Sequence, residues 1–173
     1  MLSIPRRGGL AGRFLVLVGT AAALTLSAIP AQAADIPGTD QVVTSPNVQH
    51  VTNVPKPASI AATINTDIAF QGNYAYVGNY GGFSIYDIKN PKKTAVVSSV
   101  VCPGSQMDLS VYGDLLFASV DSSRNNDSCS STPQPATQKE SWEGIRIFDV
   151  SDKANPRYIK SVESPRAAPN VAR

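Results

Sequence analysis

The chain has 173 residues, of which 42% are hydrophobic and 16% are charged, and its formal net charge is +2 at pH 7. Its lysines and arginines are not gathered into a basic patch, and no charge run suggests a membrane surface. Nucleic acid and membrane surfaces are therefore not expected as partners.

Residues 1–33 have the pattern of a cleaved signal peptide. A start with three arginines precedes an uncharged apolar run at residues 14–29, and residues 31–33 (AQA) give the small–x–small cleavage pattern. The alternative is a membrane anchor, but this run is shorter than the roughly 20 residues that span a bilayer. Cleavage would leave 140 residues with 12 basic and 13 acidic side chains, no membrane span and a net charge near −1.

Residues 34–59 are polar and rich in proline, which predicts an extended N-terminal arm. The alternation of side chains at residues 47–54 is compatible with an added edge strand. His50 is the only histidine, and in a polar arm it is typical of a solvated side chain. Without a second histidine the chain offers no Ser/His/Asp triad elsewhere and no two-histidine metal site, so we expect no catalytic residue, metal or cofactor.

Residues 60–163 contain two copies of a β-rich repeat. Asp67 of the first copy falls on Asp108 of the second, 41 residues later. Near the end of each copy, Asp87 falls on Asp149, 62 residues later, because the second copy carries an insertion of 21 residues. A period of about 40–50 residues built from short strands is typical of a propeller blade.

Four antiparallel strands are predicted in the first copy, with a glycine in the first hairpin turn, where a positive φ is needed. They cover residues 66–70, 74–79, 83–88 and 94–101. Four antiparallel strands in about 40 residues make one blade. The predicted fold class is all-β, with two four-stranded antiparallel blades that form an incomplete ring.

The third strand of each copy is apolar on both faces. In FSIYDI, Phe83 and Ile85 point to one face, while Tyr86 and Ile88 point to the other. The equivalent strand IRIFDV (145–150) has apolar residues at the same four positions. A sheet with one wet face would alternate polar and apolar residues, so each sheet must be covered on both sides, as in stacked blades.

Asp87 and Asp149 each interrupt the apolar run shortly before an Asn-Pro pair. They are either ligand or metal carboxylates or turn residues whose oxygens accept backbone N–H bonds. Their recurrence at one repeat position favours the structural turn, because a structural device repeats and a single active site need not.

The insertion, within residues 122–143, is rich in Ser, Thr, Asn, Gln and Pro and is predicted to be a solvated loop. Long loops on a rigid scaffold are natural binding elements, and the candidate binding residues are Asn125, Asn126, Asp127 and Trp142. Trp142 is either an exposed anchor or the start of the third strand packed on a neighbouring loop. Asp121, Asn125, Asn126 and Asp127 supply oxygens that a calcium ion could use, but they lack the spacing and the downstream glutamate of a calcium loop.

Cys102 ends the fourth strand of the first copy, and Cys129 lies in the insertion. Two cysteines in an exported chain favour a disulfide, which would pin the insertion to the blade. The alternative is that one or both pair with cysteines outside this chain.

The third strands, FSIYDI (83–88) and IRIFDV (145–150), resemble the LVIVD-repeat family of bacterial and archaeal surface proteins. The resemblance extends over residues 47–162, including the segments NVQHVTNVP (47–55) and DVSDKANPRYI (149–159). It implies a β-propeller in a secreted or surface protein and supplies no catalytic motif to carry over.

Two blades are too few for a ring, since propellers typically have 4–8 blades. Residues 164–173 have no strand period and are expected to be a disordered tail. We expect either a fragment of a longer propeller, truncated or frameshifted, or a ring assembled from several short chains. The uncovered blade faces favour self-association, because soluble monomers seldom expose large apolar patches.

The function expected from these features is that of a secreted or cell-surface propeller repeat module that binds an extracellular or cell-wall partner rather than transforming it. The alternative is an extracellular hydrolase or lyase whose active site lies mainly in blades absent here. A third interpretation is a structural surface or adhesion protein with the insertion as its contact element. Fold alone does not decide among these roles.

Overall fold

The computed structural model describes residues 41–164. The expected signal peptide at 1–33 and the tail beyond residue 164 lie outside the described residues. All strands belong to one compact unit, which begins at Thr44. Among residues 41–164, no helix is long and apolar enough to cross a membrane.

Within residues 41–164, eight strands form two four-stranded antiparallel sheets, in the orders β1-β2-β3-β4 and β5-β6-β7-β8. The strands are β1 (Asn65–Gln71), β2 (Tyr74–Asn79), β3 (Gly82–Asp87), β4 (Ala95–Val101), β5 (Leu109–Tyr112), β6 (Leu115–Arg124), β7 (Trp142–Asp149) and β8 (Arg157–Glu163). Two short 3-10 helices cover Ala58–Ile60 and Pro91–Lys93. The all-β class with two blade-like sheets, here blade 1 (β1–β4) and blade 2 (β5–β8), is confirmed, and the sheets do not close into a ring.

The two blades repeat one another in backbone detail. Gly72 and Gly113 occupy the first hairpin turns with φ of +59° and +58°, a conformation that other residues rarely adopt. Each third strand pairs with its fourth through a register shift at the equivalent place, Ile85/Tyr86 in blade 1 and Ile147/Phe148 in blade 2. The period seen in the sequence is therefore a structural repeat.

Each blade has two faces, which the strand pairing defines because directly paired residues point to the same side. The front face carries Tyr76, Phe83 and Ile85 in blade 1, and the equivalent Phe117, Ile145 and Ile147 in blade 2. The back face carries Ala75, Ser84 and Tyr86 in blade 1, and the equivalent Leu116, Arg146 and Phe148 in blade 2.

The front face of blade 1 packs on the back face of blade 2. The rings of Phe83 and Phe148 meet edge to face with centroids 4.9 Å apart. The core between the blades contains Tyr76, Phe83, Ile85, Cys102, Met107, Leu109, Leu116, Ala118, Phe148 and Val150. Unlike faces meet here, as in a ring where every blade repeats the same contact with the next.

The blades approach one another most closely along their first strands, β1 and β5. A carboxylate oxygen of Asp67 accepts a hydrogen bond from the backbone N–H of Leu109 at 2.7 Å. Gln71 Nε2 donates to the carbonyl oxygen of Gly113, also at 2.7 Å. These bonds place β1 and β5 at the narrow side of a wedge, where the axis of a propeller lies.

Residues 47–54 form no strand, so the edge strand compatible with their alternation is absent. Their side chains are exposed, including Val48 and Val51, apart from a half-buried Val54. Alternation alone does not make a strand where the side chains have no surface to cover. The arm gains contacts only further on, where Ile60 is buried and Ser59 Oγ lies 2.9 Å from Ser99 Oγ of β4.

Candidate functional site

The insertion folds into a compact lobe, residues 125–141, between β6 and β7. β6 continues through Arg124, and a β-bridge pairs Arg124 with Pro133. The backbone N–H of Asn125 donates to the carbonyl of Thr132 at 3.0 Å, so the chain returns along the extended strand. The insertion is therefore not a loop solvated along its whole length, because its base is paired and Ser131 and Ser141 are buried.

Two of the candidate binding residues shape the turn of the lobe. Asn125 Oδ1 accepts from the backbone N–H of Thr132 at 2.9 Å, and Asn126 Oδ1 accepts from that of Ser128 at 2.9 Å. Both residues are exposed, but these oxygens are occupied by the backbone. Their amides hold the turn, as asparagine commonly does in loops.

Asp127 ties the lobe to β8. One carboxylate oxygen accepts from Ser161 Oγ at 2.6 Å and from the Tyr158 hydroxyl at 3.3 Å. The hydrogen bond from Ser161 is the main cause that lowers the pKa of Asp127 below 3.8. The carboxylate is thus held by side chains of the same blade.

A disulfide joins Cys102 to Cys129 across 27 residues of sequence. Cys102 follows β4 of blade 1 and is fully buried, whereas Cys129 belongs to the lobe of blade 2. The bond therefore fastens the lobe to the neighbouring blade as well as closing a loop.

Arg146 is the central contact of the lobe. This residue of β7 is fully buried, and each of its three guanidinium nitrogens donates to oxygen atoms. Nε donates to the carbonyl of Asp127 at 2.9 Å, and Nη2 donates to the carbonyl of Ser128 and to Ser131 Oγ, both at 2.8 Å. Nη1 donates to the carbonyl of Pro103 at 2.8 Å, in the segment that follows β4. Arg146 therefore connects β7, the lobe and blade 1.

Arg146 was not among the residues singled out in the sequence. The available signal was a charged residue inside the apolar run IRIFDV, at the position where blade 1 has Ser84. A buried charge inside a strand requires polar partners, but the sequence does not show which ones.

A second buried guanidinium lies beside the first. Arg124 is 5% exposed, and it donates through Nε to Ser131 Oγ at 3.1 Å and through Nη2 to the Ser131 carbonyl. Burial lowers the pKa of Arg124 and, together with the charge of Arg124, that of Arg146. The oxygens that accept hydrogen bonds from these guanidinium groups are backbone carbonyls and Ser131 Oγ, all of which are neutral.

Trp142, the fourth candidate binding residue, is the first residue of β7 and is 8% exposed. Its ring lies 5.4 Å from the guanidinium carbon of Arg146. The structure thus places Trp142 in the base of the lobe, where the ring packs on a cation and does not project as an anchor.

The oxygens considered for calcium have other uses. Asp121 accepts from the backbone N–H of Gln106 at 3.1 Å, and Asn125, Asn126 and Asp127 each accept through one side-chain oxygen as described above. In the part of the chain that the structure describes, no three acidic, histidine or cysteine side chains are grouped to hold a metal ion.

The two repeated aspartates lie at equivalent turns. Asp87 accepts from the backbone N–H of Lys89 at 2.8 Å, and Asp149 accepts from that of Ser151 at 2.9 Å. Asp149 also accepts from Ser151 Oγ and from Arg157. Each carboxylate closes the turn that follows the third strand of its blade.

The Asp149 turn is expected to weaken in acid. Hydrogen bonds from Ser151 and then Arg157 lower the pKa of Asp149 from 3.8 to about 2. The ionised carboxylate therefore stabilises the fold above pH 3.8, and this contribution is lost as the pH falls toward about 2. Urea unfolding of the wild type and Asp149→Asn from pH 2 to pH 7 should show a difference in midpoint that shrinks toward pH 2. A difference independent of pH would contradict this assignment.

The outer surface of the lobe is polar and exposed. It consists of Thr132, Pro133, Pro135, Ala136, Thr137, Gln138, Lys139 and Glu140. The base of the lobe is cross-linked and bonded to both blades, which limits the arrangements open to this surface. Such preorganisation lowers the entropic cost of binding.

Comparison with known families places the LVIVD repeat at residues 64–101. This segment corresponds to blade 1, which therefore matches the LVIVD-repeat model, while the equivalence of blade 2 rests on its register and turns. A search of curated proteins found no match. A search of solved structures also found none.

Proposed function

We propose that this chain, whose first blade is an LVIVD repeat, is a secreted or cell-surface propeller module that binds an extracellular or cell-wall partner through its lobe. The observation that carries the proposal is the contrast within the lobe. Its base is fixed by a disulfide and by Arg146, whereas residues 135–140 are exposed. Long loops held on a rigid scaffold commonly carry binding.

Export is part of the proposal. It is supported by the signal-peptide pattern of residues 1–33 and by the disulfide, since disulfides persist mainly in oxidising compartments. The exposed lobe surface carries one lysine and one glutamate among uncharged residues. A polar, largely uncharged polymer such as a cell-wall polysaccharide suits that surface better than a strongly charged partner.

The direct test changes the outer surface of the lobe without disturbing its base. Deleting residues 125–138 would remove Cys129 and the acceptors of Arg146, so a loss of binding would be ambiguous. We therefore choose Ala136→Glu with Thr137→Glu, both at exposed positions. The matched control is Lys92→Glu, which is exposed in the 3-10 helix of blade 1.

The measurement is capture of the disulfide-bonded protein by purified cell wall and by insoluble polysaccharides. The double variant should bind roughly tenfold more weakly, as expected for losing about 1.4 kcal/mol of contact free energy. The control variant should bind like the wild type. Capture of the double variant at the wild-type level would remove the lobe as the binding surface.

A further inference from the structure

The front face of blade 2 repeats the surface that blade 1 buries between the blades. Ile145 is 44% exposed, whereas the equivalent Phe83 is 0% exposed. Val162 of β8 is 51% exposed, whereas the equivalent Val100 packs against the core. Blade 2 thus presents, uncovered, the same kind of face that blade 1 covers with its neighbour.

The back face of blade 1 also has exposed apolar side chains, along its first strand, where blade 2 buries the equivalent residues. Ile68 is 50% exposed, whereas the equivalent Leu109 of blade 2 is 6% exposed. Phe70 is 61% exposed, whereas the equivalent Val111 is half-buried against the core. The middle of this back face, including Tyr86, is already buried, so the available surface lies along β1.

The hydrogen bond that joins the first strands of the two blades also has equivalent partners on the two uncovered faces. Within the chain, Asp67 accepts the backbone N–H of Leu109 and so joins the first strands of the two blades. Asp108 is the equivalent of Asp67, is exposed, and accepts no hydrogen bond through its carboxylate from residues 41–164. Ile68 is the equivalent of Leu109 and pairs with β2 at the same point of the register. The chain therefore carries a second carboxylate acceptor, Asp108 of blade 2. It also carries a second strand with a backbone N–H at the equivalent position, that of Ile68 in blade 1.

We propose that the front face of blade 2 binds a second copy of this chain through the back face of that copy's blade 1, with Asp108 accepting the backbone N–H of Ile68 of the second copy. The contact is head to tail, because a front face meets a back face as it does between the two blades, but on blade 1 it is confined to β1. Such a heterologous contact leaves one free face of each kind on every pair and adds further copies until a ring closes. The inference rests on the propeller part of the proposed function and not on its binding part.

The test uses two variants that each block one face at exposed positions. Ile145→Lys with Val162→Lys blocks the front face of blade 2, and Ile68→Lys with Phe70→Lys blocks the back face of blade 1. Ala136→Lys, on the exposed lobe, is the matched control. Circular dichroism melting of each disulfide-bonded full chain establishes that it is folded.

Sedimentation equilibrium then measures association. The wild type and the lobe control should form concentration-dependent oligomers. Each blocked variant should associate roughly 100-fold more weakly, because a lysine would be buried without a partner. Mixing the two blocked variants should restore a one-to-one pair, since one intact face of each kind remains, and the pair should not grow further. Asp108→Ala should weaken association about tenfold with an unchanged melting curve.

A monomeric wild type, a blocked variant that associates like the wild type, or a mixture of blocked variants that stays monomeric would each overturn the proposal. Association through the chain ends would survive in both blocked variants and would overturn it too. Cell-wall capture by the folded, blocked variants is measured separately, so a failure of association and a failure of binding by the lobe are distinguishable.

Discussion

Replacing Arg146 by methionine should lower the free energy of unfolding by about 3–5 kcal/mol, because several backbone carbonyls would lose the buried donor that they share. Methionine has a comparable length but donates no hydrogen bond. The carbonyls of Pro103, Asp127 and Ser128 would each lose the guanidinium nitrogen that they now bind. Arg146→Lys should recover only part of the loss, since an ammonium cannot reproduce the planar fork of donors.

The measurement is urea unfolding monitored by the fluorescence of Trp142, whose ring packs on Arg146. Arg157→Met is the matched control, because it removes an arginine whose side chain is 76% exposed and pairs with Asp149 at the surface. That change should cost less than about 1 kcal/mol. Equal losses in the two variants would show that the buried contacts of Arg146 contribute no more than a surface ion pair.

Removing the disulfide is the second large change. Cys102→Ser with Cys129→Ser should lower the free energy of unfolding by about 3–4 kcal/mol, the loop-closure contribution expected for a separation of 27 residues. Reducing the wild type should have a similar effect. Urea midpoints of the oxidised, reduced and double-serine proteins give the comparison. A double-serine protein as stable as the oxidised wild type would contradict this expectation.

The two changes should not be additive. Arg146 Nη1 lies 3.2 Å from Cys102 Sγ, and both the arginine and the disulfide hold the lobe against the segment that follows β4. Once one attachment is lost, the other has less structure left to stabilise. A triple variant should therefore lose less stability than the sum of the separate losses, which a double-mutant cycle measures directly.

The blade architecture was predictable from the sequence because its signals are local and occur twice. In blade 1 the strand at 74–79 is predicted with the observed bounds, and the other three lie within one residue of those observed. The glycines at residues 72 and 113 are explained by the backbone geometry of a tight hairpin turn. The apolar residues on both faces of FSIYDI are explained by burial over a few residues. Because the repeat occurs twice, signals found in one copy are supported by their equivalents in the other.

The lobe was less predictable because its contacts join residues far apart in the sequence. Arg146 binds carbonyls at residues 103, 127 and 128, and a carbonyl acceptor is present at every residue and leaves no mark in the sequence. For Trp142 the residue type left two interpretations open, and only the position of Arg146 beside the ring shows where it packs. Polar composition indicated a loop but not that its base would be buried.

Because the acceptors around Arg146 are neutral, the attachment of the lobe should depend little on salt concentration. Interactions between full charges weaken as ionic strength rises, whereas hydrogen bonds from a buried guanidinium to neutral carbonyls and a covalent cross-link are hardly affected. High salt concentration or mild acidity should therefore leave the lobe attached to both blades. Thiol reductants, which cleave the Cys102–Cys129 bond, are the chemical agents to which its attachment is most vulnerable.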